Sequence, residues 1–448
     1  MLTLEELRVD VEAGRVDTVL VAITDMQGRL QGKRLHAAYF LDVVVEHATE
    51  GCNYLLAVDV EMNTVEGYAM SSWDSGYGDL VMRPDLSTMH RVPWHEGTVM
   101  VLADVLWEDG SPVTASPRQV LQRQTARLAE AGLRAHVGTE LEFILFRDTY
   151  EQAWNSGYRG LTPTNLYNVD YSLLGTSRVE PFLRRVRNAM AGAGLTVESA
   201  KGECNLGQQE IVFRFDEAVV SCDHHVVYKN GAKEMAAQDG YALTFMAKYD
   251  EREGNSCHVH CSVRGTGGEV VMAGDAGDGM SALGRSFVAG QLAHLRELTL
   301  LLAPNINSYK RFVEGSFAPT ALAWGRDNRT CAFRLVGHGA SLRLENRVPG
   351  GDVNPYLATA AMLAAGLAGV QQQLVLSPAF TGNAYRSDVA RVPTGLAEAL
   401  ELWEGSAFAR TAFGEDVVAH YANAARVELA AFGSAVTDWE RYRGFERL

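Results

Sequence analysis

Two patterns of hydrophobic and polar residues follow one another along this chain. Residues 16–35, VDTVLVAITDMQGRLQGKRL, read as two strands meeting at the turn DMQG, and strand-like segments follow at 54–60, 79–83 and 98–105. The stretch WEDGSPVTASPRQ, 107–119, interrupts this pattern near residue 113. Beyond it, helices are predicted over 117–132, 179–194, 217–238, 281–303 and 355–374. Strands are predicted over 135–146, 196–203, 209–215, 242–249, 257–263, 331–336 and 341–347, with a Gly-rich loop at 264–279 and a helical tail. No repeat or low-complexity tract is visible. The expectation is an α+β fold with a small mixed domain at 1–113 and a large one at 114–448.

The longest apolar run, YLATAAMLAAGLAGV at 356–370, is rich in Ala and Gly and ends at QQQ. It falls short of the ~20 apolar residues that span a bilayer. It reads as a buried helix with Asn354 as N-cap and Pro355 in the first turn. The start, MLTLEELRVDVEAG, is acidic and amphipathic, unlike an export leader. Six cysteines form no disulfide framework, so reduced thiols in the cytoplasm are expected. A net charge of −15 argues against nucleic acid as the main partner and fits a cationic substrate only loosely. The stretch GRLQGKR has three residues between its glycines where a phosphate-binding loop has four, and Arg34 stands where Ser or Thr would meet magnesium. A turn and a basic strand is the better reading.

Charged residues inside otherwise apolar strands carry the chemistry. In HVGTELEFILF, 136–146, Glu140 and Glu142 share one face and Leu141 and Phe143 the other. Two like charges on a buried face are costly unless a cation or donors compensate, and a solvated edge is the alternative. In SLRLENRVP, 341–349, Arg343, Glu345 and Arg347 point one way, which a plain salt-bridge ladder would also explain. Glu203 precedes a glycine turn and Glu210 begins the next strand. GNSCHVHCSV, 254–263, looks like a zinc cage when read linearly. Strand alternation sends Cys257, Val259 and Cys261 to one face and His258, His260 and Ser262 to the other, so one ion cannot gather all four. Oxygen-rich ligands with an imidazole suit Mg²⁺ or Mn²⁺ better than zinc. Arginines in PNINSYKRF and GRDNRTCAFRL add positive charge suited to carboxylate and phosphate groups.

GTELEF, ECNLGQQEI, GNSCHVHCS, NSYKR, DNRTCAFR, RLENR and DVNPYLATAAML occur in the order and spacing of type I glutamine synthetases, which this chain resembles from about residue 17 onward. The resemblance implies a small β-grasp N-terminal domain, a catalytic domain with a curved antiparallel sheet, and a dodecamer of two hexameric rings. It implies that Glu142, Glu203 and Glu210 hold one metal, and that Glu140, His258 and Glu345 hold the ion on the nucleotide phosphates. Gly254, His258 and Arg311 would hold glutamate, with Arg347 near its γ-carboxylate. Arg329 and Arg334 would face the transferring phosphoryl group, and Ser262 and Arg343 fall in the nucleotide site. The implied partners are ATP, two to three Mg²⁺ (or Mn²⁺) ions, glutamate and an amine.

Three departures bear on the amine. The loop that carries an ammonium-binding glutamate in ammonia-using members reads EGSFAP here, with Phe317 at that position. The N-terminal FDGSS element is replaced by AVDVEMNTV, where Asp59 is the nearest analogue. The segment bearing an adenylylated tyrosine is missing. A phenyl ring takes no proton, so a changed nucleophile is expected. The branch resembled makes γ-glutamyl amides of ethanolamine or of polyamines, and ethanolamine is favoured. Glu61, Glu66 and Glu314 are the carboxylates a long polyamine would need. A true glutamine synthetase and a non-catalytic homologue are the remaining readings.

Overall fold

The computed structural model describes residues 2–448. Its first helix, Leu4–Glu12, starts at a capping box: Thr3 Oγ1 accepts from the Glu6 N–H at 3.2 Å, and Glu6 Oε2 accepts from the Thr3 N–H at 2.8 Å. The T-x-x-E spacing carried that signal. Strands β1 (Thr18–Thr24), β2 (Leu30–His36), β3 (Thr49–Cys52), β4 (Asp79–Pro84), β5 (His90–Arg91) and β6 (Thr98–Leu106) form one sheet in the order β2-β1-β6-β4-β3, with β5 on β6. The β1–β2 pair is the antiparallel hairpin expected at DMQG, while β1 and β6 run parallel, an arrangement consistent with a β-grasp unit. Side chains of β1 are buried on both faces. Val19, Val21 and Ile23 join an N-terminal core, while Leu20 and Ala22 join the main core of the chain. The first sheet is therefore packed onto the rest.

The second sheet holds β7 (Leu133–Phe146), β8 (Val197–Gly202), β9 (Gln208–Phe213), β10 (Asp216–Glu217), β11 (Ala242–Thr244), β12 (Cys257–Gly265), β13 (Trp324–Arg326), β14 (Phe333–Val336) and β15 (Arg343–Asn346). Its order is β13-β14-β15-β12-β7-β9-β8, with β10 and β11 also on β7. All neighbours pair antiparallel except β13–β14. Helices are packed around it, so the α+β class expected from the patterning is the fold found.

Three expectations need correction. Residues 54–60 are not a strand: Asn53–Leu56 forms a 3₁₀ turn, fixed by the Asn53 amide donating to Met70 O at 2.9 Å. The strand expected at 242–249 stops at Thr244, because Asn255 Nδ2 takes the Thr244 and Met246 carbonyls out of any ladder. The helix expected at 281–303 breaks into Ala282–His294 and Thr299–Leu302. There Thr299 Oγ1 donates back to Leu295 O at 2.8 Å, and His294 stacks on Phe408 with ring centres 3.7 Å apart. The three-residue strand β13 was too short for any periodicity to reveal.

Helix Pro355–Gln371 is buried nearly throughout, as its apolar run required. Asn354 Oδ1 accepts from the Tyr356 N–H, and its amide donates to Asp25 O and Met26 O, tying this helix to the first sheet. A Cβ on Gly369 would lie 2.1 Å from Ser286 O, so this helix and Ala282–His294 meet backbone to backbone. No helix among the described residues is long and apolar enough to cross a membrane.

Candidate functional site

Strand register lines up charged residues from six strands on one face of the second sheet. Across β14, β15, β12 and β7, Arg334 stands opposite Glu345, Glu345 opposite His260, and His260 opposite Gly138. Along the neighbouring rows, His258 is opposite Glu140, Glu142 is opposite Glu210, and Glu210 is opposite Lys201. Alternation holds through β12: Cys257 and Cys261 lie in the hydrophobic core, and burial pushes both thiols up to about 12. They face the apolar core, away from His258 and His260, so no single ion gathers both cysteines and both histidines.

Two carboxylate-rich clusters result. Glu142, Glu203 and Glu210 each offer an oxygen within 4.8 Å of the others, and so do Glu140, His260 and Glu345 with one ligand atom apiece. His258 stands beside the second cluster, its Nδ1 3.3 Å from Glu140 Oε2 and 3.4 Å from Glu345 Oε1. Sequence reasoning named His258 and left His260 without a role, yet His260 Nε2 approaches Glu140 Oε1 to 2.9 Å. The signal available was that both histidines share a face.

Electrostatics separates the clusters. Burial, and then the charge of Glu203, push Glu142 up to about 8. Burial, and then the charges of Glu140 and Glu142, raise Glu210 well above the usual carboxylate range. Burial also raises Glu203, although the Lys201 ammonium pulls the other way. Three carboxyls in this condition gain most from a cation. Glu140 goes the other way: burial opposes it, but hydrogen bonds from His258 and His260 hold its carboxyl low. Burial, reinforced by Arg347, lowers His258 to about 4, leaving a neutral imidazole whose Nε2 is buried without a partner. A neutral imidazole nitrogen with carboxylate oxygens is a donor set for a hard divalent ion.

The carboxylates are held firmly. Glu142 Oε2 accepts from the Ser256 N–H at 2.7 Å and from Gln208 Nε2 at 3.0 Å. Gln208 also donates to Gly254 O at 3.0 Å. A side chain at Gly254 would strike Ala247 O at 2.0 Å, which accounts for glycine there. Glu345 accepts from Arg334 Nη1 at 3.0 Å and from Arg347 Nη1. Burial would raise its carboxyl, but neighbouring His258 and the Arg347 guanidinium outweigh that and lower it.

A cavity of about 490 Å³ is lined by Glu142, Glu203 and Glu210 and by Glu140, His258 and Glu345, with Gly254, Phe317, Arg329, Arg334 and Arg347 also in its wall. An adjoining cavity of about 280 Å³ is lined by Ser262, Arg343, His136 and Phe215, and Glu140 and His260 border it. Glu140 thus lies between the two. Arg343 Nε approaches His260 Nδ1 at 3.2 Å, and Phe215 meets His136 edge to face at 6.0 Å. The strand expected at 209–215 ends at Phe213, which leaves Phe215 beyond it, and this aromatic pair was not singled out in the sequence.

Two expected residues are elsewhere. Arg311 is buried, with Nη1 donating to Val348 O at 2.8 Å and Nη2 to Ser256 Oγ at 3.0 Å, and it stands behind the cavity wall. Asp59 lies outside the cavity, in a turn where it accepts from the Glu61 and Asn63 N–H groups at 2.9 and 2.8 Å. It borders a separate cleft with Tyr68 and Glu428.

Residues 114–443 match the family model for the glutamine synthetase catalytic domain. Gamma-glutamylethanolamide synthetase GlnA4 of Streptomyces coelicolor is 67% identical over 447 residues, covering 100% of this chain and 96% of that protein. Glutamate–isopropylamine ligase of a Pseudomonas species is 36% identical over 439 residues, covering 97% and 96%. Among solved structures, GmaS in complex with ADP superposes with a TM-score of 0.87 at 26% identity, covering 98% of this chain and 99% of that one.

Proposed function

The chain belongs to the type I glutamine synthetase family, in its glutamate–amine ligase branch, and on that premise we propose that it is an ATP-dependent ligase joining the γ-carboxylate of glutamate to ethanolamine. The observation that carries the reading is the cavity in which the five glutamates of the two clusters, His258, three arginines and Phe317 meet, next to a second cavity with an aromatic wall. ATP seats its base against Phe215 and His136, with Ser262 and Arg343 alongside, and its phosphates reach past Glu140 into the larger cavity. Glutamate lies against Gly254 and His258, with Arg311 bracing that wall from behind and Arg347 beside its γ-carboxylate.

Phosphorylation precedes amide formation, because a carboxylate oxide is a poor leaving group and phosphate a good one. Arg329 and Arg334 stabilise the charge on the transferring phosphoryl group. Glu142, Glu203 and Glu210 would hold one Mg²⁺ or Mn²⁺, and Glu140, Glu345 and a histidine, His258 or His260, another. Such ions neutralise phosphate oxygens when bound. The amine, attacking as its free base, displaces phosphate and gives the γ-glutamyl amide.

Ethanolamine is favoured by the likeness to GlnA4, and by the fate of the carboxylates that a polyamine would use. Glu314 is paired with Arg386, and Glu61 lies in the Asp59 turn near Asn63. Phosphate release from ATP and glutamate, with ammonium, ethanolamine, isopropylamine, putrescine and spermine in turn, tests this reading. Ethanolamine should give the highest kcat/KM, and ammonium equal to it would overturn the proposal. The division at residues 113 and 114, a cytoplasmic location and a two-ring dodecamer complete the proposal. In a ring, Asp59 would serve a neighbouring copy's site, which fits its place outside its own cavity. Six free cysteines support a reducing compartment.

A further inference from the structure

Lys201 belongs to no motif singled out in the sequence, yet its ammonium stands at the edge of the Glu142–Glu203–Glu210 cluster, against Glu203 and Glu210. Its strand, β8, pairs with β9 so that Lys201 stands opposite Glu210. Nζ donates to Glu203 Oε1 and lies 3.8 Å from both Glu210 Oε1 and Asp170 Oδ1. The ring of Tyr171 lies 4.7 Å from the same nitrogen, on the side of Asp170. The Lys201 side chain is 22% exposed and lines the 490 Å³ cavity.

A divalent ion takes carboxylate oxygens at about 2.0–2.6 Å. An ammonium that already holds one of those oxygens cannot keep its position beside such an ion, because the two cations repel across a partly dry site. Lysine reaches its charge through a flexible four-carbon stem, so it can withdraw without moving its strand. Asp170 and the face of Tyr171 give it somewhere to go.

We propose that Lys201 is the internal counter-ion of this cluster: it offsets the charge of Glu203 and Glu210 and is displaced toward Asp170 and Tyr171 when a divalent ion binds. Lys201 is thus a positioning residue. It preforms the site and at the same time weakens the ion's affinity there. The inference rests on the assignment of Glu142, Glu203 and Glu210 to a divalent ion.

Mn²⁺ binding to the full chain, followed by the electron paramagnetic resonance signal of free Mn²⁺, separates the two claims. Glu142→Gln should remove one class of Mn²⁺ site. If the number of sites is unchanged, the assignment itself fails. Lys201→Met should tighten that same class about tenfold, about 1.4 kcal/mol, and leave the other class unchanged. Affinity equal to the wild type, or weaker, overturns the counter-ion role. Lys201→Arg keeps the charge and should bind Mn²⁺ no more tightly than wild type, and tightening there would also overturn it. Melting in EDTA supplies a readout independent of binding. Lys201→Met should melt below wild type without metal and gain more on Mn²⁺ addition, and an equal gain in both proteins counts against the proposal.

Discussion

Glu314 and Phe317 sit on one loop but serve opposite sides of it. Glu314 Oε1 accepts from Arg386 Nε at 2.7 Å with both side chains exposed, while Phe317 lines the cavity and its carbonyl accepts from Arg347 Nη2 at 3.4 Å. The loop therefore offers the cavity a phenyl ring and no carboxylate. Phe317 holds this place with φ at +58°, a conformation few side chains adopt.

Phe317→Glu should shift amine preference toward ammonium. A carboxylate at this point can bind the cation and take its proton, and general-base assistance is worth roughly 10²–10⁴-fold where geometry is good. The ratio of kcat/KM for ammonium to that for ethanolamine should rise at least about tenfold, short of that range because one substitution does not by itself set ideal geometry. An unchanged ratio would mean the loop does not set amine choice.

Cys261→Ala should retain most of the activity, while His258→Ala should lose nearly all of it. The thiol is in the apolar core and deleting it leaves a small void, about 1 kcal/mol of stability by the usual cavity cost. The imidazole faces Glu140 and Glu345. Turnover and metal content of the two variants, measured side by side, check this. Zinc present in wild type and lost from the cysteine variant would restore the zinc cage.

Arg118→Ala should destabilise the whole chain. The buried guanidinium bonds Asp104 at 2.6 Å, Asp85 at 2.7 Å and Asp223 at 3.0 Å, and Tyr356 donates its hydroxyl to Asp223 at 2.6 Å. Removing the guanidinium strands the buried Asp223 carboxylate, at about 3–5 kcal/mol. Urea unfolding should show that loss, and Asp223→Asn in the same background should recover part of it.

Acid should weaken the fold partly through His420. Burial lowers this imidazole to about 4, packed against the Tyr68 ring at 4.6 Å with Nε2 2.9 Å from Met26 Sδ. The unfolded chain takes up this proton near pH 6.5. The contribution is therefore fully present above about 6.5 and is lost as pH falls toward 4, up to about 3 kcal/mol. His420→Gln cannot charge and should give a flatter stability profile across that window. An equal slope in both proteins would remove His420 from the account, leaving His90, which burial also lowers to about 4, as the next group to examine.

The strand patterns of the chain determined a good deal unaided. A period of two is a local property, so the sequence told which side chains of β7, β12 and β15 share a face, and that the cysteines of GNSCHVHCSV turn away from its histidines. Motif order told the family. Local pattern failed where tertiary contacts override it, as at residues 54–60, where Asn53 is claimed by Met70, and at 294–299, where Phe408 and Thr299 break a helix. Which carboxylate stands against which was settled only by register between strands far apart in the chain. His260 comes within reach of Glu345, and Lys201 of Glu210, because β12 to β15 and β8 to β9 pair in one alignment and no other. A shift of one residue would turn every side chain to the opposite face, and the packing of the apolar face against the core is what forbids it.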